Sequence, residues 1–197
     1  MRKWQYISPG IPDEYFLRTE GVPMTKSEIR VLSLAKLRLF PQAVVYDIGA
    51  GSGSVAIECK LMLPAGRVIA IERDPRAIAL MRQNSALFAV DLEVVEGHAP
   101  TCLINLPPTD RIFLGGSGGQ LEAIIDGCDE KLVPSGWMVV NSVSLQTAPN
   151  AYRILKSKGY AVEAIQVNIA VSSQRGDSDL WQARNPVTII AAQKRGE

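Results

Sequence analysis

Val44-Val45-Tyr46-Asp47-Ile48-Gly49-Ala50-Gly51-Ser52-Gly53-Ser54 carries an apolar run into a glycine-rich turn and then into a helical pattern that begins near Ser54. The run reads as a strand. Glycine takes backbone conformations that a Cβ forbids, and a turn without side chains lets a ligand lie against N–H groups at a helix N-terminus. Such a turn suits a nucleoside-bearing cofactor. Further on, Val68-Ile69-Ala70-Ile71-Glu72 reads as a second strand ending in an acid. A carboxylate there can accept hydrogen bonds from both hydroxyls of a ribose.

Outward from this unit strands and helices alternate: strand 43–48, helix 54–63, strand 67–72, helix 75–88, strand 92–96, a short turn or helix near 99–104, and strand 110–114. That order predicts a parallel sheet covered on both faces. Helix 118–132, strand 136–143 and helix 147–158 follow, and then β-rich segments at 160–171 and 186–193 separated by the polar stretch Ser172–Arg184. With no helical pattern between them, the last two strands should pair antiparallel at the sheet edge, unlike a six-stranded all-parallel dinucleotide fold. Before the first strand, residues 1–24 hold Pro9, Gly10, Pro12, Gly21 and Pro23 and read as an irregular arm with at most a short turn around Asp13–Arg18. Thr25 and Glu28 fit a capping box opening a helix through Ile29, Leu32, Lys36 and Leu39.

The bulk properties narrow the class. A chain of 197 residues with 47% hydrophobic content suits one well-buried core, so residues 1–197 are expected to form a single domain with the arm belonging to it. The balance of 21 basic against 20 acidic side chains lacks the excess that nucleic-acid backbones call for. Cys59, Cys102 and Cys128 are far apart and there is one histidine, so no metal site is expected and the thiols read as reduced core residues of a cytoplasmic protein. Met1-Arg2-Lys3 runs into polar, Pro-rich sequence rather than a signal peptide, and no apolar run approaches membrane-spanning length.

The glycine pattern alone does not choose a cofactor, because Gly51-Ser52-Gly53-Ser54-Val55-Ala56 also satisfies the G-x-G-x-x-A form used for nicotinamide nucleotides. The combination of Asp47, three alternate glycines, Glu72 and a reversed C-terminal strand pair resembles a class I methyltransferase. This Rossmann-like α/β fold uses S-adenosylmethionine and has a mostly parallel seven-stranded sheet with an antiparallel C-terminal edge pair. Gly115-Gly116-Ser117-Gly118-Gly119 follows the fourth strand, where open α/β sheets bind ligands; four glycines in five residues exceed what a turn needs and suit close approach of a bulky substrate.

Several stretches resemble one family in particular, the decarboxylating cobalt-precorrin-6B carbon-15 methyltransferases of cobalamin biosynthesis, also found as the C-terminal half of precorrin-6Y methyltransferase. They are Gly10–Phe16, Gly21–Lys26, Asp47–Gly53, Ala70–Pro75, Gly115–Gly119, Val139–Asn141 and Arg184–Val187, and they span nearly the whole chain. The resemblance implies carbon methylation of a tetrapyrrole with decarboxylation of an acetate side chain. It also implies a homotetramer, and contacts from Thr25, Gly49, Ala50, Gly51, Ser52, Gly53, Glu72 and Ala99 to S-adenosylmethionine. Gly115, Gly116, Gly118, Gly119 and Asn141 are substrate candidates, with Asn141 expected to donate a hydrogen bond. Arg18, Lys26, Arg175 and Arg184 are candidates for the substrate's peripheral carboxylates. A catalytic base is not required in principle, and no catalytic residue is assigned. His98 departs from the family, which usually carries an acid there beside the adenine, and Ser172–Trp181 departs from an Arg- and Gly-rich stretch. The rival readings are a methyltransferase for RNA or another small molecule, and a cofactor-binding protein without turnover.

Overall fold

The computed structural model describes residues 3–196, so Met1, Arg2 and Glu197, with the N-terminal part of the signal-peptide reading, lie outside the described residues. Its strands are β1 (Val44–Ile48), β2 (Arg67–Glu72), β3 (Glu93–Glu96), β4 (Thr109–Leu114), β5 (Leu132–Ser142), β6 (Ala161–Val167), β7 (Ala170–Arg175), β8 (Ser178–Ala183) and β9 (Val187–Gln193). Seven of them form one sheet in the order β3-β2-β1-β4-β5-β9-β6. β1 to β5 pair in parallel, and β9 runs antiparallel to both β5 and β6. The antiparallel C-terminal pair is therefore present as expected, with the last strand inserted inside the sheet and β6 on its edge.

β1 shows why this arrangement forms. Val45 packs into the layer that holds α1 (Ser27–Leu37), α2 (Ser54–Met62) and α3 (Pro75–Phe88), while Tyr46 and Ile48 pack into the layer of α4 (Leu121–Lys131) and α5 (Thr147–Ser157). A strand covered on both faces is apolar nearly throughout, here except for Asp47, and each fully buried aliphatic side chain contributes about 1.5–3 kcal/mol. α3 starts cleanly because Asp74 accepts from the Arg76 N–H at 2.9 Å and Pro75 supplies a preset φ.

Three local expectations need correction. Lys26, not Thr25, precedes the first turn of α1, and no side chain caps it in the capping-box manner. The Ser27 N–H instead donates to Asp13 Oδ1 at 3.1 Å, and Glu28 turns away to Arg184. β5 begins at Leu132, four residues before the expected strand. The polar stretch after Val171 is regular: β7 and β8 form a separate two-stranded antiparallel hairpin turning at Gly176-Asp177. Every residue of β8 is exposed, so the alternation that marks a half-buried strand is missing there.

The arm is irregular apart from the short turn at Asp13–Tyr15, yet it is tied to the core. Arg30 on α1 is wholly buried; its Nε donates to Glu58 Oε1 at 2.8 Å and its Nη1 to Asp13 Oδ1 at 2.9 Å. Two further N–H groups donate, from Nη2 to the Ile11 carbonyl and from Nη1 to the Thr25 carbonyl. Glu58 on α2 in turn accepts from the N–H groups of Gly10 at 2.7 Å and Ile11 at 3.0 Å. Asn84 on α3 accepts from the Leu17 N–H at 2.8 Å and donates to the Ser52 carbonyl at 3.0 Å, joining arm and glycine turn.

Candidate functional site

The parallel register aligns Ile48 with Ile71 and Leu114, Glu72 with Glu96, and Leu114 with Val140. The loops after these strands therefore meet at one edge of the sheet, where open α/β folds bind ligands. A cleft of about 320 Å³ opens there, within the span of about 300–1,000 Å³ typical of small-molecule sites. Gly49, Gly51, Glu72 and Ala99 line it together with Gly115, Gly116 and Gly118. A second cleft of about 490 Å³ is lined by Thr25, Lys26, Asn141 and Arg184, and it shares Pro23 and Gly115 with the first. The clefts adjoin at Gly115 but do not sort the candidates: Thr25, expected at the cofactor, lines the second, while Gly115, Gly116 and Gly118, expected at the substrate, line the first.

Glu72 is the best-fixed polar group of the first cleft. Its Oε2 accepts from the Gly51 N–H at 2.9 Å and its Oε1 from the N–H groups of Arg73 at 2.8 Å and Asp74 at 3.0 Å. Three backbone donors hold the carboxylate at the end of β2 and leave about one of its four lone-pair directions open to a ligand hydroxyl.

The glycine turn works differently from the expectation of free N–H groups. Gly49 and Ala50 donate to the Ile71 carbonyl, Gly51 to Glu72, Ser52 to the Pro23 carbonyl, and Gly53 to the Ala50 carbonyl. What the turn provides is close approach. Gly51 sits at φ +54°, and a Cβ there would lie 2.7 Å from the Pro23 carbonyl oxygen; a Cβ on Gly49, at φ +72°, would come within 3.1 Å of the Gly116 backbone. Arm, turn and second glycine loop can meet only without side chains between them. Ala50 and Ser52 are buried behind the cleft and Gly53 packs against Met81, so these three support it without lining it. Gly119 is exposed and lines neither cleft.

Asp47 lies under the turn, where Oδ2 accepts from the Ala56 N–H at 2.9 Å and Oδ1 has no partner. Burial pushes its carboxyl up to about 7, opposed by that N–H and reinforced by the charge of Glu72. Asn141 lines the second cleft with one of its two Nδ2 hydrogens committed: it donates to Ser33 Oγ at 2.8 Å, and Ser33 must accept because its own hydroxyl donates to the Ile29 carbonyl at 2.8 Å. Of the basic candidates, Lys26 pairs with Asp13 at 3.2 Å and Arg184 pairs with Glu28 at the second cleft. Arg18 and Arg175 are exposed and line neither cleft. His98 lines the first cleft and lies 2.7 Å from Arg73, a residue that sequence reasoning passed over although it directly follows Glu72. Among the described residues no group of three or more His, Cys, Asp or Glu side chains is placed to hold a metal ion, and no helix is long and apolar enough to cross a membrane.

A seven-stranded sheet with one reversed strand, carrying a glycine turn and an acid at adjacent strand ends, defines the class I, S-adenosylmethionine-dependent methyltransferase fold. Comparison with known proteins narrows the class, because the precorrin methyltransferase domain matches residues 16–194 and the chain belongs to that family. It is 42% identical over 192 residues to a protein of Pyrobaculum calidifontis named as a probable cobalt-precorrin-6B C(15)-methyltransferase (decarboxylating), covering 96% of this chain and 98% of that one. The cobalt-precorrin-6B C(15)-methyltransferase (decarboxylating) of Salmonella typhimurium is 38% identical, over 92% of this chain and 95% of its own. The crystal structure of precorrin-6y C5,15-methyltransferase from Geobacter metallireducens superposes with a TM-score of 0.90 at 42% identity, covering 96% of this chain and all of that one.

Proposed function

We propose that this chain methylates carbon 15 of cobalt-precorrin-6B with S-adenosylmethionine and releases the carboxyl of the acetate on carbon 12 as carbon dioxide, a step of cobalamin biosynthesis. The observation that carries the reading is the pair of adjoining clefts, one with a carboxylate pre-set by three backbone donors and one with a basic side chain at its wall, in a chain of this family. The residues fit the methyl donor: the remaining lone pair of Glu72 suits a ribose hydroxyl, Ala99 the nucleobase, and Gly116, beside which a Cβ would meet no protein atom, leaves space in the cleft. When bound, S-adenosylmethionine supplies an electrophilic methyl group on a sulfonium.

The chain's own contribution is positioning. Pro23 and Gly115 stand where the two clefts adjoin, so the reacting ring carbon is brought there by the walls of the second cleft. Holding two reactants in line supplies about 7–11 kcal/mol of barrier reduction in favourable cases, so a protein base is not required. The electron pair given to the methyl group is replaced by the pair released as the acetate carboxyl leaves, and the conjugated macrocycle carries it between the two carbons. Arg184 faces the peripheral carboxylates once Glu28 yields it.

The same reading takes the protein as a cytoplasmic homotetramer. Its support is the β7–β8 hairpin, which stands outside the main sheet and exposes Leu180 and Trp181 to 52% and 78%. Sedimentation of the wild-type chain and of Trp181→Glu tests the assembly.

The test of function is anaerobic incubation with cobalt-precorrin-6B and methyl-labelled S-adenosylmethionine, followed by mass spectrometry. Gain of one labelled methyl with loss of one carbon dioxide is expected. No change, with cofactor binding confirmed and an active relative working in parallel, would refute the tetrapyrrole assignment.

A further inference from the structure

The nucleobase end of the first cleft is built from hydrogen-bond donors. Arg73 reaches from the end of β2 to the loop after β3, and its Nη1 lies 2.7 Å from His98 Nε2. A guanidinium has no acceptor and stays charged, so this contact requires Nε2 to accept and places the imidazole proton on Nδ1. The imidazole then has no acceptor left for a ligand. Gly118 makes the arrangement possible, because a Cβ there would sit 3.2 Å from Arg73 Nη2. The surrounding carboxylates are engaged: Glu72 with three N–H groups, Asp74 with Arg76 at 2.9 Å, and Glu96 with Arg82 at 2.6 Å. Among the described residues no carboxylate without a protein partner lines this end, and the side-chain acceptor there without one is the neutral hydroxyl of Ser117.

Resting on the reading of this cleft as the S-adenosylmethionine site, we propose that the Arg73–His98 pair leaves the 6-amino group of the adenine unread, so that the chain selects its nucleoside by the ribose and the ring nitrogens. A purine that lacks the amino group keeps every contact these side chains can make. An adenine, conversely, gains nothing from its amino hydrogens here.

Calorimetric titration of the full chain with S-adenosylhomocysteine and with its analogue carrying unsubstituted purine in place of adenine tests this. The two are expected to bind within about fivefold of each other, since a lost hydrogen bond to a charged acceptor would cost more than tenfold. His98→Asp places a carboxylate at the same position and is expected to raise the preference for adenine about tenfold. A wild-type preference for adenine above about fivefold would overturn the proposal and mean that the Ser117 hydroxyl or a backbone carbonyl reads the amine. An unchanged preference in His98→Asp would overturn it too, by showing that position 98 does not face the six-position. A chain that binds neither ligand refutes the cofactor reading itself, and the inference with it.

Discussion

Replacing Glu58 by Gln tests whether the arm is fixed from inside the core. The carboxylate is 2% exposed and receives Arg30 Nε at 2.8 Å, the Gly10 N–H at 2.7 Å and the Ile11 N–H at 3.0 Å. Glutamine keeps the size but turns one acceptor oxygen into a donor, which must face either a backbone N–H or the guanidinium. Arg30 is wholly buried, so in Glu58→Gln its only ionic partner among the described residues is Asp13, whose side chain is 18% exposed. Removing one member of a buried pair costs about 3–5 kcal/mol, and because Asp13 retains part of the neutralisation the expected loss is about 3 kcal/mol. That is a large share of the roughly 5–15 kcal/mol that holds a domain together. Urea unfolding measures the loss. A second readout follows from the contacts of the arm with the glycine turn through Pro23 and Ser52: affinity for S-adenosylhomocysteine should fall as the arm loosens. A stability change below about 1 kcal/mol would refute the account of the tether. A clear stability loss with unchanged affinity would instead refute the link from arm to cleft.

Gly51→Ala should displace the arm, since its φ of +54° and the Pro23 oxygen 2.7 Å from the new Cβ both oppose it; a stability loss of about 2 kcal/mol or more in urea unfolding is expected. Arg184→Met should raise KM for the tetrapyrrole about tenfold while leaving S-adenosylhomocysteine affinity unchanged, and Glu28→Gln, which frees Arg184, should lower KM; steady-state kinetics with calorimetry checks both. Asp47 has a folded-state carboxyl raised to about 7 from 3.8, so its contribution is fully present below about pH 4 and is lost as pH rises through about 7, at roughly 1.4 kcal/mol per unit in that window. Asp47→Asn should remove that downward slope, which appears as a stability difference from the wild type that grows between about pH 4 and 7 and levels off above it.

What could be read from the sequence, and what could not, follows from where each residue spends its interactions. β1, β2 and β4 are buried on both faces, so their apolar runs announce themselves, and the reversed pair of β6 and β9 follows from the missing helix between them. β8 touches no core, so its hydrogen-bonded partner β7 defines it and its composition does not. The Thr25 and Glu28 pattern fits a capping box by spacing, yet Glu28 answers to Arg184, a partner far along the chain that no local window contains. Arg30 and Glu58 lie on helices where charges ordinarily mark the solvent face, and only the incoming arm makes them buried partners.

The candidate site divides along the same line. Gly49, Gly51 and Glu72 stand at strand ends within one βαβ unit, so local pattern suffices to find them. Their chemistry was less evident, because the N–H groups of the glycine turn serve the protein and one of them, on Gly51, orients Glu72. The turn therefore acts on a ligand chiefly through that carboxylate and through the absence of side chains. A substitution at Gly51 should accordingly disturb the arm, the acid and the cleft together, whereas one at exposed Gly119, where a Cβ has open space around it, should leave all three in place apart from the strain of its φ of +86°.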